Sequence, residues 1–300
     1  MKIINLRQVA VRCYFQAFIV RFLISLLICV FLLGKTNAKK IQTINWDSLQ
    51  FSCKAEQYPP FEEEAEAWFQ HAKTLEKADH ENNDAEMIRL YQQASERGHH
   101  KAMLHLAVRY AYGQSVRVNQ RKAVDLVEKA MKMQSAHAYY LMGVMLEQGI
   151  GVKPDKIAAL SYFRKSADMG NKYGQFATGE AIRNAVIKEN EPIRQRGYAI
   201  TVQMLECALE QGLADAGHKL GVDFLIIAKD TAQALKYFQK AASLGNQKSL
   251  YRLYSVFEDG EYGVTKNPEL ASCYYKLLTL ARADPNIRFP DINHLCPLPT

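Results

Sequence analysis

The sequence predicts an all-α protein, a right-handed α-solenoid built from about five to six helical hairpins. The first observation is a repeated motif, in which a small residue is followed four positions later by an apolar residue and then by glycine or alanine. The motif occurs at Ala102, Leu106 and Ala107, at Ala138, Met142 and Gly143, and at Ala216, Leu220 and Gly221. Repetition of this kind is the sequence signature of a repeat architecture.

A second motif closes each repeat unit, and its spacing gives the repeat length. It is an amphipathic run that ends in a lysine, small residues and a glycine, and it is clearest at residues 159–170 and 234–245. Successive closing positions are 37, 35, 42 and 33 residues apart, at Gly98, Ser135, Gly170, Gly212 and Gly245. Apolar residues in both motifs recur at i, i+3 or i+4, and i+7, as on one face of a helix. Each unit is therefore predicted to be two helices that bury their remaining apolar side only against a neighbouring unit.

The repeat unit resembles the Sel-1-like repeat family, which is related to the tetratricopeptide repeat. The match is best at residues 136–170, where Gly149, Gly151 and Asp155 reproduce the turn between the two helices of that family. The resemblance covers roughly residues 60–284. It implies a solenoid that binds proteins, and none of the family's consensus positions is catalytic.

One repeat contains a charged insertion. Residues 188–192 and 194–196 add charged and turn-forming side chains to the third repeat. We expect this insertion to lengthen the turn between the two helices of that repeat, since insertions in solenoids commonly map to loops.

The first 38 residues are expected to be a targeting segment. They contain five basic residues and no acid, an apolar stretch at residues 22–34, and Ala38 at the expected cleavage position. This order is typical of a secretory signal, which predicts a periplasmic mature protein. The alternative is an uncleaved inner-membrane anchor. The remaining chain is predicted to comprise an extended N-terminal segment, the repeats and an extended proline-rich tail, at residues 39–60, 61–284 and 285–300.

Four cysteines follow the expected cleavage position, Cys53, Cys207, Cys273 and Cys296. An even number in an exported chain favours disulfide bonds, and four cysteines allow three pairings. We favour Cys53 with Cys207 and Cys273 with Cys296, because each pair fixes a chain end that has little core of its own. Buried, reduced cysteines remain the alternative.

Motifs for catalysis, metals and nucleotides are not found in the sequence. No histidines have the zinc-protease spacing, no Cys-x-x-Cys pair occurs, and neither a phosphate loop nor a Gly-x-Ser-x-Gly elbow is present. We expect the histidines at the surface, with His100 and His105 on different sides of one helix. The net charge of +7 falls to about +2 without the first 38 residues, and no basic block indicates a nucleic-acid partner. We predict no enzymatic activity, no metal and no cofactor.

Protein binding is predicted on the first helices of the hairpins. In the register of tetratricopeptide-like units, the groove-facing positions are Leu104, Tyr140, Phe176, His218 and Tyr251, with the charged residues Glu147 and Arg183 beside them. Aromatic side chains are favoured at protein interfaces. The alternative is that this stripe belongs to the core, or that the chain's own N-terminal segment or tail covers it.

The two ends of the chain resemble a bacterial envelope subfamily of these repeat proteins. The shared features are Cys53 ahead of the repeats, residues 207–212 before residues 217–223, and the Pro-Asp-Ile and Pro-Leu-Pro sequences of the tail. Members often accompany lipase effectors of type VI secretion, and several serve as immunity proteins. The resemblance implies an immunity protein that neutralises a lipase or phospholipase effector by steric occlusion. An envelope scaffold that organises other periplasmic or inner-membrane proteins is the alternative.

Overall fold

The computed structural model describes residues 49–78 and 83–299. The predicted signal segment, residues 1–38, and residues 39–48 of the predicted extended segment lie outside the described residues. Within the described ranges every regular element is helical. The α-helices are α1 Glu63–Ala78, α2 Asp84–Glu96, α3 His100–Tyr112, α4 Gln120–Lys132, α5 Ala136–Gln148, α6 Lys156–Asp168, α7 Lys172–Val186, α8 Glu191–Glu210, α9 Ala214–Asp223, α10 Thr231–Ser243, α11 Gln247–Asp259, α12 Pro268–Ala283 and α13 Ile292–Leu295.

Consecutive helices pair into stacked hairpins, so the predicted α-solenoid is confirmed. Helix α1 packs on α2, α3 on α4, and so on to α11 on α12, which gives six hairpins in the described part of the chain. The second helix of each hairpin also packs on the first helix of the next. The buried alanine, leucine and aromatic residues lie at these two kinds of contact, and each hairpin thereby covers the apolar side of its neighbour.

The turn between the two helices of a hairpin forms as its sequence predicts. Gly149 ends α5 with a φ of 75°, a left-handed conformation that glycine adopts without a Cβ clash. Asp155 then caps α6, since its side chain accepts hydrogen bonds from the amides of Ile157 and Ala158, both at 3.0 Å. The same glycine and Asx caps recur at Gly113 with Asn119 and at Gly260 with Asn267.

The charged insertion lengthens a helix and not a turn, so that expectation was wrong. Residues 187–190 alone connect α7 to α8, and α8 is 20 residues long. Asn190 caps α8 through a hydrogen bond from the amide of Ile193, and Pro192 lies in the first turn. Proline is tolerated there because the first amides of a helix have no intrahelical acceptor.

The tail packs on the last two hairpins and is not extended throughout, because it contains α13. The Phe289 amide donates a hydrogen bond of 2.8 Å to the carbonyl of Ser243, and Ile292 is buried. The Cys296 carbonyl accepts hydrogen bonds from Gln239 Nε2 and Tyr274 OH, at 2.8 and 2.9 Å. These contacts bury the apolar residues of the tail although its prolines exclude a long helix.

Small residues on the first helices allow the two helices of a hairpin to approach closely. A Cβ atom on Gly143 would lie 2.5 Å from Phe163 Cε1, and one on Gly221 would lie 2.5 Å from Phe238 Cδ1. At the equivalent position of the fourth hairpin, a Cβ on Gly179 would have its nearest neighbour, Met204 Cβ, at 3.4 Å. At this repeat position an added Cβ atom would clash in the third and fifth hairpins and would fit in the fourth.

This difference gives a matched test of the stacking. We expect Gly143→Ala to lower the free energy of unfolding by about 1–3 kcal/mol, because the added methyl group displaces the Phe163 ring. Gly179→Ala is the control and should leave stability unchanged or raise it by up to about 1 kcal/mol through better helix propensity. Urea denaturation followed by circular dichroism measures both, and equal effects of the two substitutions would contradict the close approach at Gly143.

Candidate protein-binding site

The segment before α1 forms an N-terminal strap, residues 50–61, across the turns that join successive hairpins. A disulfide joins Cys53 to Cys207 near the end of α8, with a Cα–Cα distance of 5.6 Å. The Lys54 carbonyl accepts a hydrogen bond of 3.3 Å from Gln175 Nε2 at the start of α7. At its other end, the ring of Phe61 stacks on His99, which precedes α3, at 4.3 Å between centroids. The strap therefore contacts the second to the fourth hairpins.

Glu56 anchors the middle of the strap to two helix N-termini. Its carboxylate accepts hydrogen bonds from the His137 amide at 3.2 Å and from Asn171 Nδ2 at 2.7 Å. The first amides of a helix have no intrahelical acceptor, so this carboxylate satisfies one of the free donors of α5. Burial raises the pKa of Glu56, against the opposing effect of those two hydrogen bonds. A Cβ on Gly170 would lie 2.6 Å from the Ala55 carbonyl oxygen, so only glycine fits beneath the strap there.

A cavity of about 520 Å³, here called the strap cavity, lies between the strap, α1, α3 and the starts of α5 and α7. It contains apolar side chains, among them Phe69, Leu104 and Leu141. Its charged and histidine side chains are Lys73, Lys101, Arg109 and Lys172, Glu56 and Glu76, and His100, His105 and His137. The strap cavity is thus an amphipathic depression with more basic than acidic groups.

Glu76 is the better satisfied of the two carboxylates in the strap cavity. It accepts a hydrogen bond from Tyr91 OH at 2.5 Å and lies 2.9 Å from Arg109 Nη2 and 3.3 Å from His105 Nδ1. The His105 hydrogen bond, with those of its other partners, lowers the pKa of Glu76 to about 2. Glu76 is therefore ionised at neutral pH, and its charge offsets that of Arg109.

Two of the histidines expected at the surface, His99 and His100, are buried. His100 is 1% exposed, and neither of its ring nitrogens has a hydrogen-bond partner among the described residues. Burial lowers the pKa of His100 to about 4 and that of His137 to about 4. His100 and His105 both line the strap cavity, although they lie on different sides of α3, because the cavity extends from the strap to α1.

The predicted groove residues fall into separate environments. Leu104 is buried in the wall of the strap cavity. His218 and the exposed Tyr251 lie together in the wall of a second cavity of about 330 Å³. Tyr140 is half-buried and stacks on Tyr173 at 5.4 Å between ring centroids.

Like Tyr140, three further predicted groove residues line neither cavity. Phe176 is half-buried against the contact between α8 and α9. Arg183 donates a hydrogen bond of 2.8 Å to the buried Asp223 on α9, so its charge is paired within the chain. Glu147 is exposed near the end of α5. The structure therefore joins two of the seven predicted residues in one depression and places the others singly.

Sequence reasoning missed the residues that make the strap cavity. Glu56 and Tyr58 belong to a segment without repeats, in which Cys53 alone indicates, through a possible disulfide, a contact with the repeats.

The second cysteine pair is also bonded, since Cys273 and Cys296 form a disulfide with a Cα–Cα distance of 5.9 Å. These two disulfides join the pairs that the sequence favours.

The described residues contain neither a metal-binding cluster nor a helix that could span a membrane. No cluster of three or more His, Cys, Asp or Glu side chains in residues 49–78 and 83–299 is placed to hold a metal ion. No helix in that part of the chain is both long enough and apolar enough to cross a bilayer.

The stacked hairpins and their amphipathic cavities define a helical-repeat protein of the α-solenoid class. The repeats match the family described as Sel1 repeat, so this chain contains Sel1 repeats. The matched residues are 88–99, 100–135, 136–171, 215–246 and 248–277. The fourth hairpin, which contains the long helix α8, lies between the matched stretches.

Solved structures and curated proteins resemble this chain over different lengths. The immunity protein Pa5087 from Pseudomonas aeruginosa is 29% identical, with a TM-score of 0.66 over 83% of this chain and 95% of that one. The immunity protein PA5088 from the same species is 27% identical, with a TM-score of 0.69 over 83% and 94%. The uncharacterised protein NMB1327 from Neisseria meningitidis serogroup B is 32% identical over 59% of this chain and 36% of its own length. The chain spans about a third of the length of the curated relatives that it matches.

The strap contacts predict a specific effect of the first disulfide. Cys53→Ser should lower the free energy of unfolding by about 2–4 kcal/mol, because the chain between residues 53 and 207 is no longer closed into a loop. The His137 amide should also exchange faster with deuterium, because its acceptor Glu56 lies on the released strap. Cys273→Ser is the control and should leave exchange at His137 unchanged. Unaltered exchange in Cys53→Ser would show that the strap holds its place without the bridge.

The buried histidines predict how stability depends on pH. Burial, followed by the charges of His99, Lys101 and His137, lowers the pKa of His100, and Glu66 opposes this. The unfolded chain therefore binds more protons between pH 6.5 and about 4, and the free energy of unfolding should fall as the pH decreases through that range. His100→Leu should show a smaller fall, whereas His294→Gln, at an exposed position, should keep the wild-type dependence. Identical pH profiles for all three proteins would contradict this prediction.

Proposed function

We propose that this chain is an immunity protein that binds a bacterial toxin and blocks its action. The observation that carries the proposal is the likeness to Pa5087 and PA5088, both described as immunity proteins, over more than four fifths of this chain. Stacked helical hairpins support it, because they present an extended surface to a protein partner. Following the subfamily resemblance of the sequence, we propose that the toxin is a lipase or phospholipase effector of a type VI secretion system.

The proposed mechanism is steric occlusion by the first helices of the hairpins. The solenoid covers the active-site entrance or the membrane-docking surface of the toxin, so it needs no catalytic residue, and we propose that it is not an enzyme. A preorganised solenoid loses little conformational entropy on binding, which favours a tight complex. The proposed contact residues are those of the predicted groove, Leu104, Tyr140, Phe176, His218, Tyr251, Glu147 and Arg183.

We propose that the protein acts in the periplasm. Two disulfides support this location, since such bonds persist in oxidising compartments and are rare in the cytosol. Residues 1–38 would direct export, followed by cleavage or by retention as an inner-membrane anchor.

Co-expression with a lipase effector encoded beside the gene tests the function and the location together. A sensitive bacterial host that exports the effector to its periplasm should grow when it also makes the full chain. Residues 39–300 without the export segment should not protect, because the two proteins are then in different compartments. Growth arrest with both proteins present in the periplasm would contradict the immunity role.

An exposed aromatic residue tests the binding face. Tyr251, on the first helix of the last hairpin, is 54% exposed, so its loss should change stability by no more than about 0.5 kcal/mol. We expect Tyr251→Ala to weaken toxin binding about tenfold or more in calorimetric titration, as for an interface hot spot. Ile157→Ala is the control, because Ile157 lies on a second helix, α6, and is 72% exposed. Equal affinities for the two variants would place the toxin elsewhere.

A further inference from the structure

The strap cavity contains three lysines that have no ion-pair partner among the described residues, although Lys101 and Lys172 interact electrostatically with the Glu56 carboxylate. Of its four cationic side chains, Arg109 is paired with Glu76 at 2.9 Å. Lys73, Lys101 and Lys172 have no carboxylate of a described residue within ion-pair distance, although Lys101 Nζ lies 4.1 Å from the centroid of the Tyr58 ring. Glu56 carries the only other carboxylate in the cavity wall, and its oxygens accept hydrogen bonds from α5 and from Asn171. Three lysines therefore face a single remaining acid.

The cavity wall also contains unused hydrogen-bonding capacity. His100 is 1% exposed, and both of its ring nitrogens lack a partner among the described residues. A buried polar group without a partner is unfavourable, so a bound group that hydrogen-bonds to it is favoured. The half-buried Val108 and Leu141 provide apolar surface beside the lysines. A ligand that fits this wall combines negative charge with apolar carbon.

The second cavity has the same sign of charge, which is an independent observation. Its wall includes Lys248, Arg252, Arg282 and His218 and no carboxylate. Arg252 lies 3.7 Å from Glu261, which is not part of that wall. Lysines and arginines thus outnumber acids in both cavities, and both cavities are lined by first helices of hairpins.

We propose that the strap cavity receives an acidic segment of the protein partner, whose Asp or Glu carboxylates pair with Lys73, Lys101 and Lys172. Apolar side chains of the same segment cover Val108 and Leu141. This inference rests on the proposed function, because it names the chemistry of the toxin surface that the chain recognises. Charge complementarity of this kind contributes to the association rate and to the choice of partner.

A zero-length cross-linker tests the pairing directly. A carbodiimide joins a lysine amine to a carboxylate only when the two groups are in contact. The complex of this protein with the lipase encoded by the neighbouring gene is purified and treated with the carbodiimide. Mass spectrometry should then detect cross-links from Lys73, Lys101 or Lys172 to Asp or Glu of the lipase. Cross-links from other lysines only, in an intact complex, would overturn the inference and leave the proposed function standing. Failure of the two proteins to form a complex would overturn both.

Charge reversal provides a second, quantitative test. The double variant K73E/K172E should bind the lipase about tenfold or more weakly, with most of the loss removed at high salt. The matched control is K132E/K153E, which changes the net charge equally at exposed positions outside both cavities. Equal affinities of the two double variants would overturn the inference.

His100→Leu separates binding from folding. The apolar side chain removes an unpartnered buried polar group, so stability at pH 7 should be unchanged or higher, while affinity for the lipase should fall. Unchanged affinity in a folded variant would exclude a role for this histidine in the site.

Vesicles of phosphatidylglycerol test a lipid as the competing occupant of the strap cavity. If the vesicles bind the wild-type protein but not K73E/K172E, while the wild type and K73E/K172E bind the lipase with equal affinity, the cavity holds a lipid headgroup and the inference is wrong.

Discussion

Each hairpin of this solenoid has two apolar faces and can cover only one of them by itself. Pairing of the first and second helices buries one face, with contacts as close as that of Gly143 with Phe163 and of Gly221 with Phe238. The other face is buried only when the next hairpin stacks on it. The chain therefore folds as a series of mutually dependent units, and its binding surfaces form where the first helices of neighbouring hairpins come together.

The strap depends on this stacking and adds a different kind of contact. Stacked hairpins place the turns that precede the first helices in a row, and the start of each of those helices has amides without intrahelical acceptors. Glu56 and the carbonyl of Lys54 accept hydrogen bonds from the starts of α5 and α7, and the Cys53–Cys207 disulfide fixes the strap near the end of α8. Repeats of a solenoid contact mainly their neighbours, whereas the strap links the second hairpin to the fourth, which are not neighbours in the stack.

Periodicity explains why the fold was predictable from sequence and the strap cavity was not. Recurring alanines, glycines and aromatic residues specify the hairpins and their turns, because the same local contact occurs in every copy of the repeat. Glu56 and Tyr58 occur once, in a segment with no repeat, so no pattern indicates which helices they meet. The helical start at Asn190 and Pro192 did carry a signal, an Asx cap followed by proline in the first turn, but the surrounding charges suggested a turn. His100 is buried by the strap, so its exposure could not be judged from α3 alone.

The strap also determines what kind of binding the solenoid can perform. By crossing the starts of α3, α5 and α7 it adds Glu56 and Tyr58 to a wall that those helices supply with lysines and histidines. Because the disulfide and the hydrogen bonds fix the strap in the free protein, little conformational entropy remains to be lost there when a partner binds. The remaining ordering cost then falls on the partner, so an acidic segment that is itself ordered before binding should bind this wall more tightly than a flexible one of the same sequence.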